Sequence, residues 1–207
     1  MTQTRSLHAR SPYPRMTYEQ YLADPTIDEH TEWVDGEVIP MMSVSSTHAE
    51  VTGFLIQMLG FYTGARRLGQ VYSDPFQMKL ERGRAPDVMF VRTENLARRH
   101  RFFLEGPADL VVEVISEGTE GIDRGDKFFE YQAGGVPEYW IIDPDREVAE
   151  FYLLDEKGVY RSANVPVDGA FESPSLEGMQ LQVRWLWDRP PVSDLLAELG
   201  LPYIPRR

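Results

Sequence analysis

The segments 85-APDVMFVR-92 and 108-ADLVVEVIS-116 decide how this chain folds. Both are short apolar runs rich in valine, flanked by turn-forming residues, which is the pattern of strands buried on two faces. Asp87 stands near the start of the first run and Glu113 in the middle of the second. A carboxylate buried without a partner costs several kcal/mol or takes up a proton, so each acid requires a cation, hydrogen-bond donors or a metal. Alternation along a strand sets Glu113 on the same face as Val111 and Ile115, opposite Val112 and Val114, so one sheet face gains a polar patch. Two such acids on adjacent strands can share one metal, and hard oxygen ligands suit Mg²⁺ or Mn²⁺. The alternative is that Asp87 lies at a strand end and Glu113 pairs with an arginine.

Upstream, Thr17 is placed to cap a short helix through YEQYLAD that Pro25 ends, and TEWV-DG-EVIPM reads as a hairpin turning at Asp35-Gly36. From His48 to Tyr62, the residues Val51, Phe54, Leu55, Met58, Leu59 and Tyr62 recur at helical spacing, giving a core-facing helix capped among Ser45, Ser46 and Thr47. QVYSDPFQMKL (70–80) supplies another strand, joined to the Asp87 strand by ERGRA, and the basic RTENLARRHR separates the Asp87 and Glu113 strands. Downstream, GIDRGDKFFEYQAGG reads as a helix closed by Gly134-Gly135 despite Gly125 near its start, and VPEYWIIDP as a buried strand stopped by Pro144. A hairpin over 147–163, a loop, a strand over 179–187 and a helix over 192–200 complete the chain. The order helix, three strands, helix, strand predicts an α/β fold with an added N-terminal hairpin and a C-terminal β extension. There is no internal repeat.

The 207 residues are 42% apolar and 26% charged, enough for one good core, so residues 16–207 are expected to form a single domain behind a flexible leader over 1–15. The leader has no apolar stretch of signal-peptide type, no later run has the length of a membrane span, and a cytoplasmic protein without membrane contact is expected. With no cysteine, disulfides, thiolate catalysis and Cys-based zinc sites are excluded. A net charge of −12 disfavours tight nonspecific binding to nucleic acid, because phosphate neutralisation by Lys and Arg supplies most of that affinity. Charge is nevertheless local: Arg92, Arg98, Arg99 and Arg101 gather around His100, either as a solvated loop or as a patch that contacts phosphates.

PDVMFV, EVIS, DRGDKFFEYQAGGVPEYWIIDP, and TEWVDGEVIPM followed by a histidine closely resemble the Uma family of restriction-endonuclease domains in the PD-(D/E)XK nuclease superfamily, from about Tyr18 to Trp187. The resemblance implies the restriction-endonuclease-like core, whose element order matches the one read from the pattern. It makes Asp87 the PD aspartate, Glu113 the acid of the (D/E)XK motif and the backbone carbonyl of Val114 the third metal ligand. The motif lysine is missing, since Ile115 holds its position. Lys127, on the helix after the Glu113 strand, is the replacement that some superfamily members suggest. Tyr131 lies four residues on, similar to the Gln-x-x-x-Tyr pattern of RecB-like nucleases. An ordinary surface ion pair of Lys127 with Asp123 is the alternative, and Lys79 is a weaker substitute. Glu32 and His48 also stand at positions resembling family motifs; otherwise they read as cap or packing residues.

These readings lead to a Mg²⁺- or Mn²⁺-dependent DNA endonuclease with Asp87, Glu113 and Lys127 as its catalytic set, Glu32, His48 and Tyr131 beside them, and Arg98, Arg99 and Arg101 on the DNA. A homodimer is expected, because two-fold assemblies are the commonest and cutting two strands favours paired sites. The competing readings are a binding or regulatory module that keeps the nuclease fold without efficient cleavage, and a structural dimer whose acids merely pair with arginines.

Overall fold

The computed structural model of the protein describes residues 11–41, 43–116 and 120–201. Residues 1–10 of the expected leader and 202–207 of the expected domain lie outside that range. Ser11 and Arg15, at the end of the leader, are placed: the Ser11 hydroxyl donates to the Val38 carbonyl, and Arg15 pairs with Glu37 at 2.8 Å.

Thr17 caps α1 (Tyr18–Ala23) in a reciprocal box with Gln20. Asp35 and Gly36, both at positive φ (51° and 86°), turn β1 (Thr31–Val34) into β2 (Glu37–Pro40) as that dipeptide predicts. Ser45 caps α2 (Ser46–Arg66), which extends a turn beyond the predicted apolar stripe and buries Val51, Leu55, Met58 and Leu59. The strand expected over 70–80 is broken. β3 (Gly69–Ser73) ends where Pro75 removes a backbone donor, and the chain resumes as β4 (Gln77–Lys79) in a different sheet, turning back through β5 (Gly83–Arg84). β6 (Val88–Arg92) follows, then a 3₁₀ turn over Thr93–Arg98, β7 (Phe103–Glu105) and β8 (Leu110–Val114). The helix expected over 121–135 begins with a wide π turn, Ile122–Lys127, before settling into α3 (Phe128–Gly134). Gly125, the residue least suited to an α-helix there, lies inside that turn.

β9 (Glu138–Asp143), β10 (Val148–Leu154) and β11 (Tyr160–Ser162) follow as predicted. The 164–178 segment, expected as loop, holds β12 (Ala170–Ser173), which pairs with β13 (Met179–Gln182). The strand expected over 179–187 therefore stops at Gln182. Val183–Leu186 coils into a 3₁₀ turn that buries Val183, Trp185 and Leu186 together, which a straight strand alternating its faces would not do. α4 (Val192–Glu198) closes the described chain.

The central sheet has the order β11-β10-β9-β8-β6-β3, with β8 and β9 parallel and the other pairs antiparallel. One face packs Val88, Phe90, Leu110, Val112 and Trp140 against α2, the β12–β13 hairpin and α4. The other packs Met89, Val91, Val111, Tyr139 and Ile141 against Tyr131 of α3 and against Met78 and Leu104 of a second sheet, order β2-β1-β5-β4-β7. In chain order, α2, β3, β6, β8, α3 and β9 give helix, three strands, helix, strand. Among the described residues no helix is long and apolar enough to cross a membrane.

Candidate active site

The β6–β8 register decides where the two strand acids meet. Val88 faces Val112 and Met89 faces Val111, so one more step sets Asp87 opposite Glu113, on the same sheet face. Asp87 lies just beyond the end of β6, where its Oδ2 accepts the Val114 N–H at 2.7 Å. The register also extends sideways. Ser73 faces Val88, which sets Asp74 opposite Asp87 at the other flank, while Glu113 faces Ile141 and Ile141 faces Glu150. A single row across the sheet therefore reads Asp74, Asp87, Glu113, Ile141, Glu150.

α3 and the π turn cover this row. Lys127 extends its Nζ to 2.8 Å from Glu113 Oε2 and 3.1 Å from Asp123, and the Tyr131 hydroxyl donates to Glu113 Oε1 at 2.6 Å. Lys127 and Tyr131 are one helical turn apart, so both reach the same carboxylate. Lys127 and Asp123 do form the expected i, i+4 pair. It is buried rather than on the surface, and Glu113 completes it. Burial pushes the Glu113 carboxyl up to about 8: Lys127 opposes the shift, but the nearby charges of Asp87 and Asp123 add to it. Burial alone would lower the Lys127 ammonium, yet Asp123, Glu113, Glu32 and Asp87 together hold it well above its ordinary value. Lys127 is therefore a fixed cation at neutral pH.

His48, in the first turn of α2, brings its Nε2 to 3.3 Å from Asp87 Oδ1. Burial disfavours the imidazolium, but the Asp87 contact and the Asp74 charge raise its pKa on balance. Glu32, on β1, accepts from Arg84 Nη1 at 2.9 Å and from the Ala85 N–H at 3.1 Å. Burial would raise this carboxyl, but Lys127 and Arg84 together hold it below its usual range. Of the three acids, only Glu32 pairs with an arginine; Asp87 faces a histidine and Glu113 a lysine.

The fold thus brings Asp87, Glu113, the Val114 backbone, Lys127, Tyr131, His48 and Glu32 together. Lys79 lies elsewhere, its ammonium 3.1 Å from the Leu80 carbonyl and 4.9 Å from the Tyr18 and Trp33 rings. Arg98, Arg99 and Arg101 do not touch the cluster. Sequence reasoning missed Asp74, Arg84 and Glu130, and took Asp123 only as an ion-pair partner. Burial and the Asp87 charge raise the Asp74 carboxyl, and Arg84 bridges Glu32 to Glu130 of α3, with its Nε 3.1 Å from Glu130 Oε2. The signal for Arg84 was available: an arginine three residues before the strand acid, at the inner end of a turn, is as costly to bury as the acid itself.

Whether these residues suit a divalent cation turns on the charge balance and the donor types. Burial is the main reason that Glu113 resists ionisation although a lysine touches it, and the charges of Asp87 and Asp123 add to it, so a further cation beside Asp87 and Glu113 would favour the carboxylate form. The donors are hard carboxylate and carbonyl oxygens. Among the described residues no three His, Asp or Glu side chains converge into a cage. Two carboxylates on one row, Asp87 and Glu113, are the kind of set with which Mg²⁺ binds while keeping several of its waters. The residues therefore fit such an ion.

Two proteins of Synechocystis sp. (strain ATCC 27184 / PCC 6803 / Kazusa), both described as uncharacterized, are similar to this chain. One is 26% identical over 134 residues (62% of this chain, 75% of that protein), the other 25% over 170 residues (80% and 88%). A crystal structure from Anabaena variabilis ATCC 29413, described as "a putative nuclease belonging to DUF820", superposes with a TM-score of 0.68 at 15% identity, covering 89% of this chain and 99% of that one. At that identity the likeness establishes a shared fold. Residues 17–184 match the model of the Uma2 family, described as "Putative restriction endonuclease", and this span takes in every site residue named above; the chain belongs to the Uma2 family.

Proposed function

We propose that the protein is a divalent-cation-dependent DNA endonuclease, with Mg²⁺ or Mn²⁺ held by Asp87, Glu113 and the Val114 carbonyl. The observation that carries this reading is the meeting of Asp87 and Glu113 on one sheet face with Lys127 Nζ 2.8 Å from Glu113. The cation supplies charge neutralisation at a phosphate oxygen and makes water a better nucleophile near neutral pH. Lys127 replaces the ammonium absent at Ile115. Flanked by Glu113 and Asp123, it keeps its proton, so it orients the nucleophile and stabilises charge developing on the phosphate rather than acting as a base. Tyr131 fixes one oxygen of Glu113, leaving the carboxylate a single orientation. His48 braces Asp87, and Glu32 balances Lys127 and Arg84 from the side. The family's description and the nuclease named in the similar structure support this reading. A cytoplasmic homodimer is the form in which two such sites would act on both strands.

The test is cleavage of supercoiled and linear DNA by the wild type and by Asp87→Asn, with Mg²⁺ and with Mn²⁺. Cleavage by the wild type alone is expected. Its absence on every DNA would favour a nuclease-fold binding or regulatory module, a reading to which the Lys127 ammonium contributes, since two carboxylates of the protein already engage it.

A further inference from the structure

The basic loop after β6 concentrates arginines that face no carboxylate. Arg82, Arg84, Arg124 and Arg146 each face a carboxylate within ion-pairing distance. Among the described residues Arg98, Arg99 and Arg101 face none: Arg98 donates to the Glu105 carbonyl at 3.1 Å, Arg99 to the Tyr72 hydroxyl at 3.3 Å, and the Arg101 guanidinium lies 4.9 Å from the Phe102 ring centroid. Phe102 itself is 50% exposed. His100 braces the loop, its ring stacked on Phe103 at 4.5 Å and its Nε2 3.1 Å from Glu105. A chain of net charge −12 thus presents, along one loop, three guanidiniums without carboxylate partners among the described residues and a half-exposed aromatic ring with Arg101 over it. That combination suits a polyanion with flat apolar faces.

The loop also borders the acid row. The Phe102 carbonyl accepts the Gln77 N–H at 3.2 Å, and Tyr72, which Arg99 touches, stacks on Phe76 at 4.6 Å. Asp74, the outermost acid of the row, lies three residues before Gln77, a chain length of at most about 10 Å. A few nucleotides of extended strand span that distance.

We propose that the Arg98–Phe102 loop is a docking site for unpaired nucleic acid, in which Phe102 stacks on a base while Arg99 and Arg101 pair with the flanking phosphates. The strand then leads from the loop toward Asp74 and Asp87. This rests on the nuclease reading and narrows it to substrates with single-stranded or frayed segments. A base inside a duplex keeps its faces covered by its neighbours and offers Phe102 nothing to stack on.

The experiment is fluorescence anisotropy of the full chain in EDTA at low salt, with a labelled oligothymidine and with a labelled duplex. Tighter binding of the single strand is expected. Phe102→Ala should weaken single-strand binding by between about fivefold and a hundredfold, the effect of losing one base–aromatic stack, and change duplex binding little. Phe102→Trp should bind as the wild type does, whereas Phe102→Leu, which keeps an apolar side chain without a π face, should not. Arg101→Gln should reduce the slope of log K against log salt by about 0.7, one phosphate contact on a single strand. Unchanged single-strand affinity in Phe102→Ala, with its melting temperature intact, would overturn the proposal. If the wild type cuts DNA while Phe102→Ala binds unchanged, the loop assignment fails and the nuclease reading stands. If binding runs through Phe102 but no DNA is cut, the loop assignment stands and the nuclease reading fails.

Discussion

Glu113 is buried on a sheet face between Asp87 and Asp123, and its carboxyl is pushed up by that position from the usual 4.5 to about 8. A carboxyl whose folded pKa is raised contributes stability that is complete below its unfolded pKa and is lost as pH rises through its folded one. The metal-free protein should therefore lose melting temperature between about pH 5 and pH 8, and Glu113→Gln should flatten that slope in melts recorded with EDTA. His48, also raised, contributes in the same direction, so His48→Asn should remove part of the slope as well. Millimolar Mg²⁺ should restore stability more at pH 8 than at pH 5, since the ion and the proton compete for Glu113. Asp87→Asn and Glu113→Gln should each abolish that gain. Lys127→Met keeps the aliphatic stem and removes only the charge, so metal-induced stabilisation should survive in it while cleavage falls by about a hundredfold or more; Lys79→Met should lower cleavage far less. At this scale the sequence was informative at Asp87 and Glu113, where an acid interrupts an apolar run. Asp74 sits beside a proline in a turn, where an aspartate is ordinary, so its place in the row emerges only from strand register.

Among the elements, β3 meets β6 at Gly69, where a β-carbon would lie 2.0 Å from the Val91 carbonyl oxygen and 2.8 Å from the Arg92 Cα. No side chain can be accommodated without moving the backbone, so Gly69→Ala should destabilise the protein by about 1–3 kcal/mol, measured by urea unfolding. It should also depress cleavage, because β3 leads directly into Asp74 and pairs with β6, which follows Asp87. Elements with strong local signals were legible: the Asp35-Gly36 hairpin, the Thr17 cap and the apolar stripe of α2 all rest on interactions within a few residues. The split of 70–80 between two sheets was not, since both halves are β-prone and only their distant partners, Val91 for Gln70 and Phe103 for Gln77, separate them. The π turn was legible only as a helix weakened at Gly125. Its Asp123 and Lys127 are both buried and lie 3.1 Å apart, a tertiary setting that local propensity does not encode.

At the scale of the whole molecule, the second sheet is tied to the site by charge. Arg84 on β5 joins Glu32 on β1 to Glu130 on α3, and Arg82 joins Glu130 to Asp35 at the hairpin turn. Because Arg84 is only 3% exposed, Arg84→Met leaves buried carboxylates short of their cation and should cost about 3–5 kcal/mol, measured by chemical denaturation. Adding Glu32→Gln should recover part of the loss, because it removes one of the stranded charges. The layered α/β plan was legible because it follows from the order of elements, whereas the second sheet was not, since its strands are two to four residues long and scattered between longer ones. The acid row gives the molecule a ruler graduated in strands. Neighbouring members of the row are separated by one interstrand spacing, ~4.8 Å, fixed by backbone hydrogen bonds rather than by any side chain. Substitutions in the core can loosen that ruler but cannot regraduate it. An insertion of one residue within β6 would turn Asp87 to the opposite face, and an insertion of two would return it to the right face one step out of line, so this geometry changes only in whole-residue jumps.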